Sequence, residues 1–377
     1  MNRRIYRNHY FAAISLLFAA LIGLGAIHSQ GISDPQASNN QIQNAGNGLS
    51  QTKDTTGLKG IAGDIGMPVK TFLSVIVDDN NIKWFVTEQG IISFNGEKWI
   101  LHNKNRKVTS QDLKGLAYEA NPNGPELWIA SPKGATVATL PVDAKTGATT
   151  YHTENTSILS NNVVRVAIGK SPMRWFGTDK GISAFRNDKW LAAAYDELYP
   201  ESMFQESRIT SMATNADGDS LYVGTEGAGI ARVFRNDVDA ISGASVYAQW
   251  GPIMLPSDNI YSVFIAANGA QWFGTDKGIA RHVGSNTLKD WTVFNTSNGL
   301  ADNFVQAITA DNTGHIWIGT KGGASVFDGS AWSSFKKENG LTSNNIHCIA
   351  VDKTGVVWLG TDDGVTSYEN GKFTGYR

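Results

Sequence analysis

The sequence has 377 residues, a formal net charge of -2 and only 18% charged residues, with 40 glycines, 11 tryptophans and one cysteine. So balanced a charge gives no reason to expect nucleic acid or an acidic membrane surface as partner. A single cysteine, Cys348, excludes an intrachain disulfide and any two-cysteine redox or zinc motif.

Arg3, Arg4 and Arg7 precede an almost unbroken apolar run from Phe11 to Ile27, the layout of an export signal. The run is also near the shortest length that spans a bilayer, and no Ala-x-Ala cleavage site follows it. Residues 1–28 therefore read either as a cleaved signal peptide or as a retained apolar helix, a membrane anchor through 11–27 with its basic end in the cytoplasm. Both readings place the body outside the cytoplasm, in the periplasm. Residues 29–66, rich in Ser, Gln, Asn, Gly and Thr, read as a flexible tether.

From Met67 to Arg377 the chain is a tandem repeat. Trp175-Phe-Gly-Thr-Asp-Lys-Gly-Ile182 recurs residue for residue as Trp272 to Ile279, and looser copies begin at Lys83, Leu127, Leu221, Ile316 and Val357. The leading aromatics are Trp84, Trp128, Trp175, Tyr222, Trp272, Trp317 and Trp358, at steps of 41 to 50 residues. Short alternating apolar runs separated by glycine turns at this period predict an all-β fold, a seven-bladed β-propeller of four-stranded antiparallel blades. Within each copy a strand ends on the aromatic unit. Asp is expected to brace the turn through its side chain, Gly to supply the positive φ, and a second strand follows at once. One such sheet cannot bury both faces alone, so neighbouring copies must stack, with the aromatics as packing between blades.

The innermost strands are expected at Phe72 to Val77, Leu113 to Tyr118, Val163 to Ile168, Ile209 to Thr214, Ile260 to Ile265, Phe304 to Thr309 and Ile346 to Val351. Last strands carry aromatics at spacing three, as in Trp291 and Phe294. Blades one and seven close the ring by packing, unless residues 57–66 add a strand.

Seven internal copies separate shared positions, which read as scaffold, from departures, where function can be written. The second residues of the inner strands are Leu73, Lys114, Val164, Thr210, Tyr261, Val305 and His347, and the third are Ser74, Gly115, Arg165, Ser211, Ser262, Gln306 and Cys348. Polar side chains there could meet a ligand at the channel mouth, which makes Lys114, Arg165, Tyr261, Gln306 and His347 candidate ligand-binding residues. Tyr195 and Tyr199 join them from Leu191 to Ser207, the longest departure between blades. Charged turn residues such as Asp179, Asp276 and Asp362 should ring the same mouth. Asn215-Ala-Asp217-Gly-Asp219 lacks the carboxylate that completes a calcium loop, and neither a metal nor a cofactor is expected.

The unit N-G-L-x-x-N-x-V-x-x-I-x-x-D-x-x-G-x-I-W-I-G-T-x-x-G-x-S-x-F-D-G, read from Asn298 to Gly329 and again from Asn339, resembles the two-component regulator propeller repeat. The resemblance implies the extracytoplasmic sensor part of a bacterial signalling system, a binding role without fixed catalytic residues. No kinase, receiver domain or second span follows the seventh blade, so output is expected to pass through a separate partner. The expected ligand is a small molecule or glycan, or the partner is an envelope protein. An envelope-assembly scaffold is the alternative. The streptogramin lyases, seven-bladed propellers of similar strand pattern, supply an enzyme reading, but only His347 among the histidines falls on an inner strand and no histidine cluster stands out.

Overall fold

The computed structural model describes residues 69–102, 112–142, 147–169, 173–186, 189–191, 207–216, 218, 220–235, 241–247, 255–284 and 290–377. They form seven antiparallel sheets of four consecutive strands each: blade 1 (72–101), blade 2 (115–151), blade 3 (163–191), blade 4 (209–247), blade 5 (260–294), blade 6 (305–335) and blade 7 (346–376). Every inner strand lies beside the inner strands of the two neighbouring blades, blade 7 beside blade 1 included, so the ring is closed. Among the described residues no helix is long and apolar enough to cross a membrane. The apolar run 11–27, the tether 29–66 and the extra strand considered for 57–66 lie outside the described residues.

Most strand bounds match the expected ones. Two inner strands begin later, at Gly115–Glu119 in blade 2 and Val305–Ala310 in blade 6.

The aromatic unit builds both the turn and the seam. Thr178 Oγ1 donates to Gly181 O at 2.8 Å and accepts from Lys180 N at 3.1 Å. The same pair of bonds recurs from Thr87, Ser131, Thr225, Thr275, Thr320 and Thr361. The turn is thus braced by the hydroxyl of the Thr or Ser and not by the following Asp. Gly181 and Gly278 complete it at φ 123 and 127, a left-handed conformation that side-chain-bearing residues resist.

The glycine before the Thr serves the seam. A Cβ on Gly224, Gly274, Gly319 or Gly360 would stand about 3 Å or less from the Cβ of Ile260, Val305, Ile346 or Phe72, the first inner-strand residue of the next blade. Only a hydrogen fits where two sheets approach so closely. Blades 1 and 2 place Val86 and Ala130 there, both fully buried.

Each blade meets the next through one apolar cluster, and each cluster contains the leading aromatic of the earlier blade: Trp84 against blade 2, Trp128 against blade 3, Trp175 against blade 4, and so on to Trp358 against blade 1. The aromatics of the last strands divide between seams, because a spacing of three puts them on opposite sheet faces. Trp291 stacks on Phe273 at 5.8 Å toward blade 4, whereas Phe294 lies 5.5 Å from Phe327 toward blade 6.

Candidate functional site

The channel has a leading mouth, where the inner strands begin, and a trailing mouth, where they end. At the leading mouth each inner strand carries a β-bulge. Ile209 pairs with Thr225 and Ser211 with Gly224, leaving Thr210 out of the ladder, and register shifts at the same place leave out Leu73, Val164, Tyr261, Gln306 and His347. In blade 2 both Lys114 and Gly115 oppose Ala130. The bulge corrects the repeat alignment: Val305 is the first residue of the blade 6 strand and is fully buried, Gln306 is its second, and Ala307 its third. A bulge turns one side chain out of the pleat, which explains why the second position varies most.

The structure sorts the candidates into two groups. On blades 5 to 7, the Tyr261 ring lies 4.5 Å from Phe304, whose face carries Lys321 Nζ at 3.6 Å. Gln306 bridges to blade 7, its amide donating to Asn345 Oδ1 at 2.8 Å and Ile346 O at 2.9 Å. His347 stands 3.5 Å from Asn345 Nδ2. Its imidazole is pushed below the ordinary value by burial and by Lys321, with Asp362 opposing, while burial and the Glu226 and Asp276 charges push the Tyr261 phenol up.

The second group is on blades 2 and 3. Arg165 Nη1 donates to Lys114 O at 3.2 Å and to Val164 O at 2.8 Å. Tyr195, Tyr199, Asp217 and Asp219 lie outside the described residues. The turn acids do belong to this mouth: Asn162, Asn259 and Asn345, each just before an inner strand, donate to Asp179, Asp276 and Asp362 at 3.0 to 3.3 Å. Cys348 is buried, its thiol donating to Phe72 O at 3.5 Å and pushed up by burial to about 12. Among the described residues no group of three His, Cys, Asp or Glu side chains is placed to hold a metal.

The trailing mouth holds what the sequence reading missed, a cavity of about 650 Å³ lined by blades 2 to 5. The turn that ends the inner strand has an aspartate in blades 1, 6 and 7. Asp78, Asp311 and Asp352 each cap the turn with one oxygen and take the indole N–H of Trp84, Trp317 or Trp358 on the other, at 2.9 to 3.0 Å. At the same position the other blades carry Glu119, Gly169, Asn215 and Ala266, and all four line the cavity. Where Gly169 and Ala266 replace the acid, Trp175 Nε1 and Trp272 Nε1 are buried with no hydrogen-bond partner among the described residues. The signal was readable as a run of departures from the D-x-x-G turn.

The closed ring places the chain among the seven-bladed β-propellers. Residues 299–322 and 340–363, in blades 6 and 7 and the loops before them, match the two component regulator propeller family, so the chain carries repeats of that family. In fold it is similar to the extracellular domain of the hybrid two component system BT3049 from B. thetaiotaomicron, with a TM-score of 0.66 and 19% identity over 81% of this chain and 39% of that one. The corresponding domain of BT4673 from the same organism gives 0.60 and 17%, over 80% and 38%. The chain thus spans well under half the length of these two solved domains. A Streptogramin B lyase gives 0.57 and 14%, over 81% of this chain and 95% of that chain. A comparison with curated proteins gives no match.

Proposed function

We propose that the chain is an exported, non-catalytic binding propeller of the sensor type, which presents the leading mouth of its channel to a small ligand, a glycan fragment or an envelope protein. In this reading residues 1–28 direct export or anchor the chain, residues 29–66 are the tether, and 67–377 are the receptor body in the periplasm. The observation that carries it is the division of labour within the repeat. Shared positions are committed to turns and seams, and the variable ones gather at the channel mouths on a rigid ring. The solved extracellular domains of similar fold, and the family's repeats in blades 6 and 7, support a sensing role. Binding is favoured over catalysis because Arg165 and Gln306 bond backbone carbonyls and, among the described candidates, no nucleophile stands paired with a base.

The test is a thermal-shift screen of glycans and metabolites on the full chain, alongside capture from solubilised membranes, for the native protein and for Lys114→Ala and Arg165→Ala. A ligand-dependent shift that the substitutions abolish is the expected result. A membrane protein captured independently of both residues identifies a scaffold instead, and release of a product from an added substrate would overturn the binding reading.

A further inference from the structure

The third residue of the inner strand, just past the bulge, faces the closest approach of two blades. Six blades keep it small, with Ser74, Gly115, Ser211, Ser262, Ala307 and Cys348; blade 3 places Arg165 there. Among the described residues the guanidinium finds only backbone carbonyls, both on Nη1, and no carboxylate within ion-pair distance. A second cation, Arg208, repels it. Burial first, and that repulsion second, push Arg165 down to about 10. Lys114, whose backbone carbonyl Arg165 bonds, is the neighbouring residue on the adjacent blade. A half-buried guanidinium that meets a second cation and has no counter-charge among the described residues favours an anion beside it.

We propose that Arg165, with Arg208 beside it, is the receptor for an oxyanion: a carboxylate, sulfate or phosphate group on the ligand that the leading mouth takes. Arg165 offers the remaining edge of its planar fork to two oxygens of such a group, the geometry in which arginine binds oxyanions best. The proposal rests on the reading above for the place of the ligand and adds its charge. It also explains why the most intrusive side chain of the ring stands where the neighbouring blades keep a serine or a glycine.

The probes are acetate, sulfate and phosphate against chloride at matched ionic strength, with thermal unfolding of the full chain as the readout. The native protein should gain a saturable shift with at least one oxyanion, and which one distinguishes carboxylate from sulfate or phosphate ligands. Arg165→Gln should lose that shift, with apparent affinity weaker by roughly tenfold or more, and in chloride should unfold no earlier than the native protein because it removes an uncompensated charge. Arg208→Gln, an exposed position that does not threaten folding, should weaken the response several-fold. Equal shifts in all salts, an oxyanion shift retained in Arg165→Gln, or a marked loss of stability of that variant in chloride would overturn the proposal. A neutral ligand found in the wider screen would leave the sensor reading standing while this one falls.

Discussion

Two seams of the same ring are sealed by different chemistry. Between blades 7 and 1, Asp352 receives the Trp358 indole and, from the next blade, Lys83 Nζ at 3.2 Å, with both side chains almost wholly buried. The ammonium also bonds Asn81 O at 3.0 Å and lies 5.0 Å from the Trp358 ring. Between blades 5 and 6 the equivalent positions are Ala266 and Ile316, and both belong to a hydrocarbon and aromatic cluster. Only blades 2 and 3, among the described residues, repeat the charged arrangement, with Glu119 taking the Trp128 indole and a two-pronged bond from Arg174 at 2.7 and 2.9 Å. The lesson concerns tethering. Blades 5 and 6 are joined by a short loop, whereas Lys83 and Asp352 are 269 residues apart. Connectivity alone does not choose the chemistry, since consecutive blades 2 and 3 also carry an ion pair, but at the closing seam the directional contacts also set one register between the first and last sheets.

The largest effect should come from Asp352→Ala. It strands Lys83 and the Trp358 indole in the interior and uncaps the turn that bonds Thr354 and Val356, so a loss of about 3–5 kcal/mol is expected in urea unfolding. Gly274→Ala attacks the apolar seam instead, pressing a methyl to within 2.9 Å of Val305 Cβ, and should cost about 1–3 kcal/mol. A Gly274→Ala loss larger than that of Asp352→Ala would reverse the ranking of the two seams.

Acid sharpens the same contrast. Burial raises the Asp352 pKa, but the bonds from Thr354, Trp358 and Lys83 outweigh it and hold the carboxyl below its ordinary 3.8. A carboxyl depressed in the folded state contributes stability that is complete above the unfolded value and lost as pH falls below it. Stability measured from pH 5 to pH 3 should therefore fall less steeply in Asp352→Asn than in the native protein, and Gly274→Ala should keep the native slope. The smallest effect belongs to Lys353→Ala, which removes an exposed pair with Asp79 at 2.8 Å across the closing seam. It should cost under about 1 kcal/mol, and less still in high salt.

Fold and site were unequally legible. Strand, turn and period are local grammar, so the seven copies and most strand limits could be read from the chain. The brace of the turn was misassigned because Asp and Thr stand side by side and either can bond a turn; only geometry shows that Thr178 makes the bonds while Asp179 answers to Asn162. Gln306 was placed one position late because a bulge adds a residue that alternation cannot reveal. The trailing cavity escaped notice because it is made by absences, Gly169 and Ala266 where other blades keep an acid, on turns that come together only in the closed ring. The ion pairs were hidden for the same reason: Lys83 and Arg174 each begin an ordinary-looking strand, and their partners lie in other repeats.

The bulge has an evolutionary corollary. Because the second inner residue stands outside the ladder, it can change from leucine to tyrosine or histidine without disturbing the pairing on either side. The molecule thus holds seven interchangeable sockets around one axis, and descendants of the same barrel-shaped frame could acquire new chemical tastes one socket at a time.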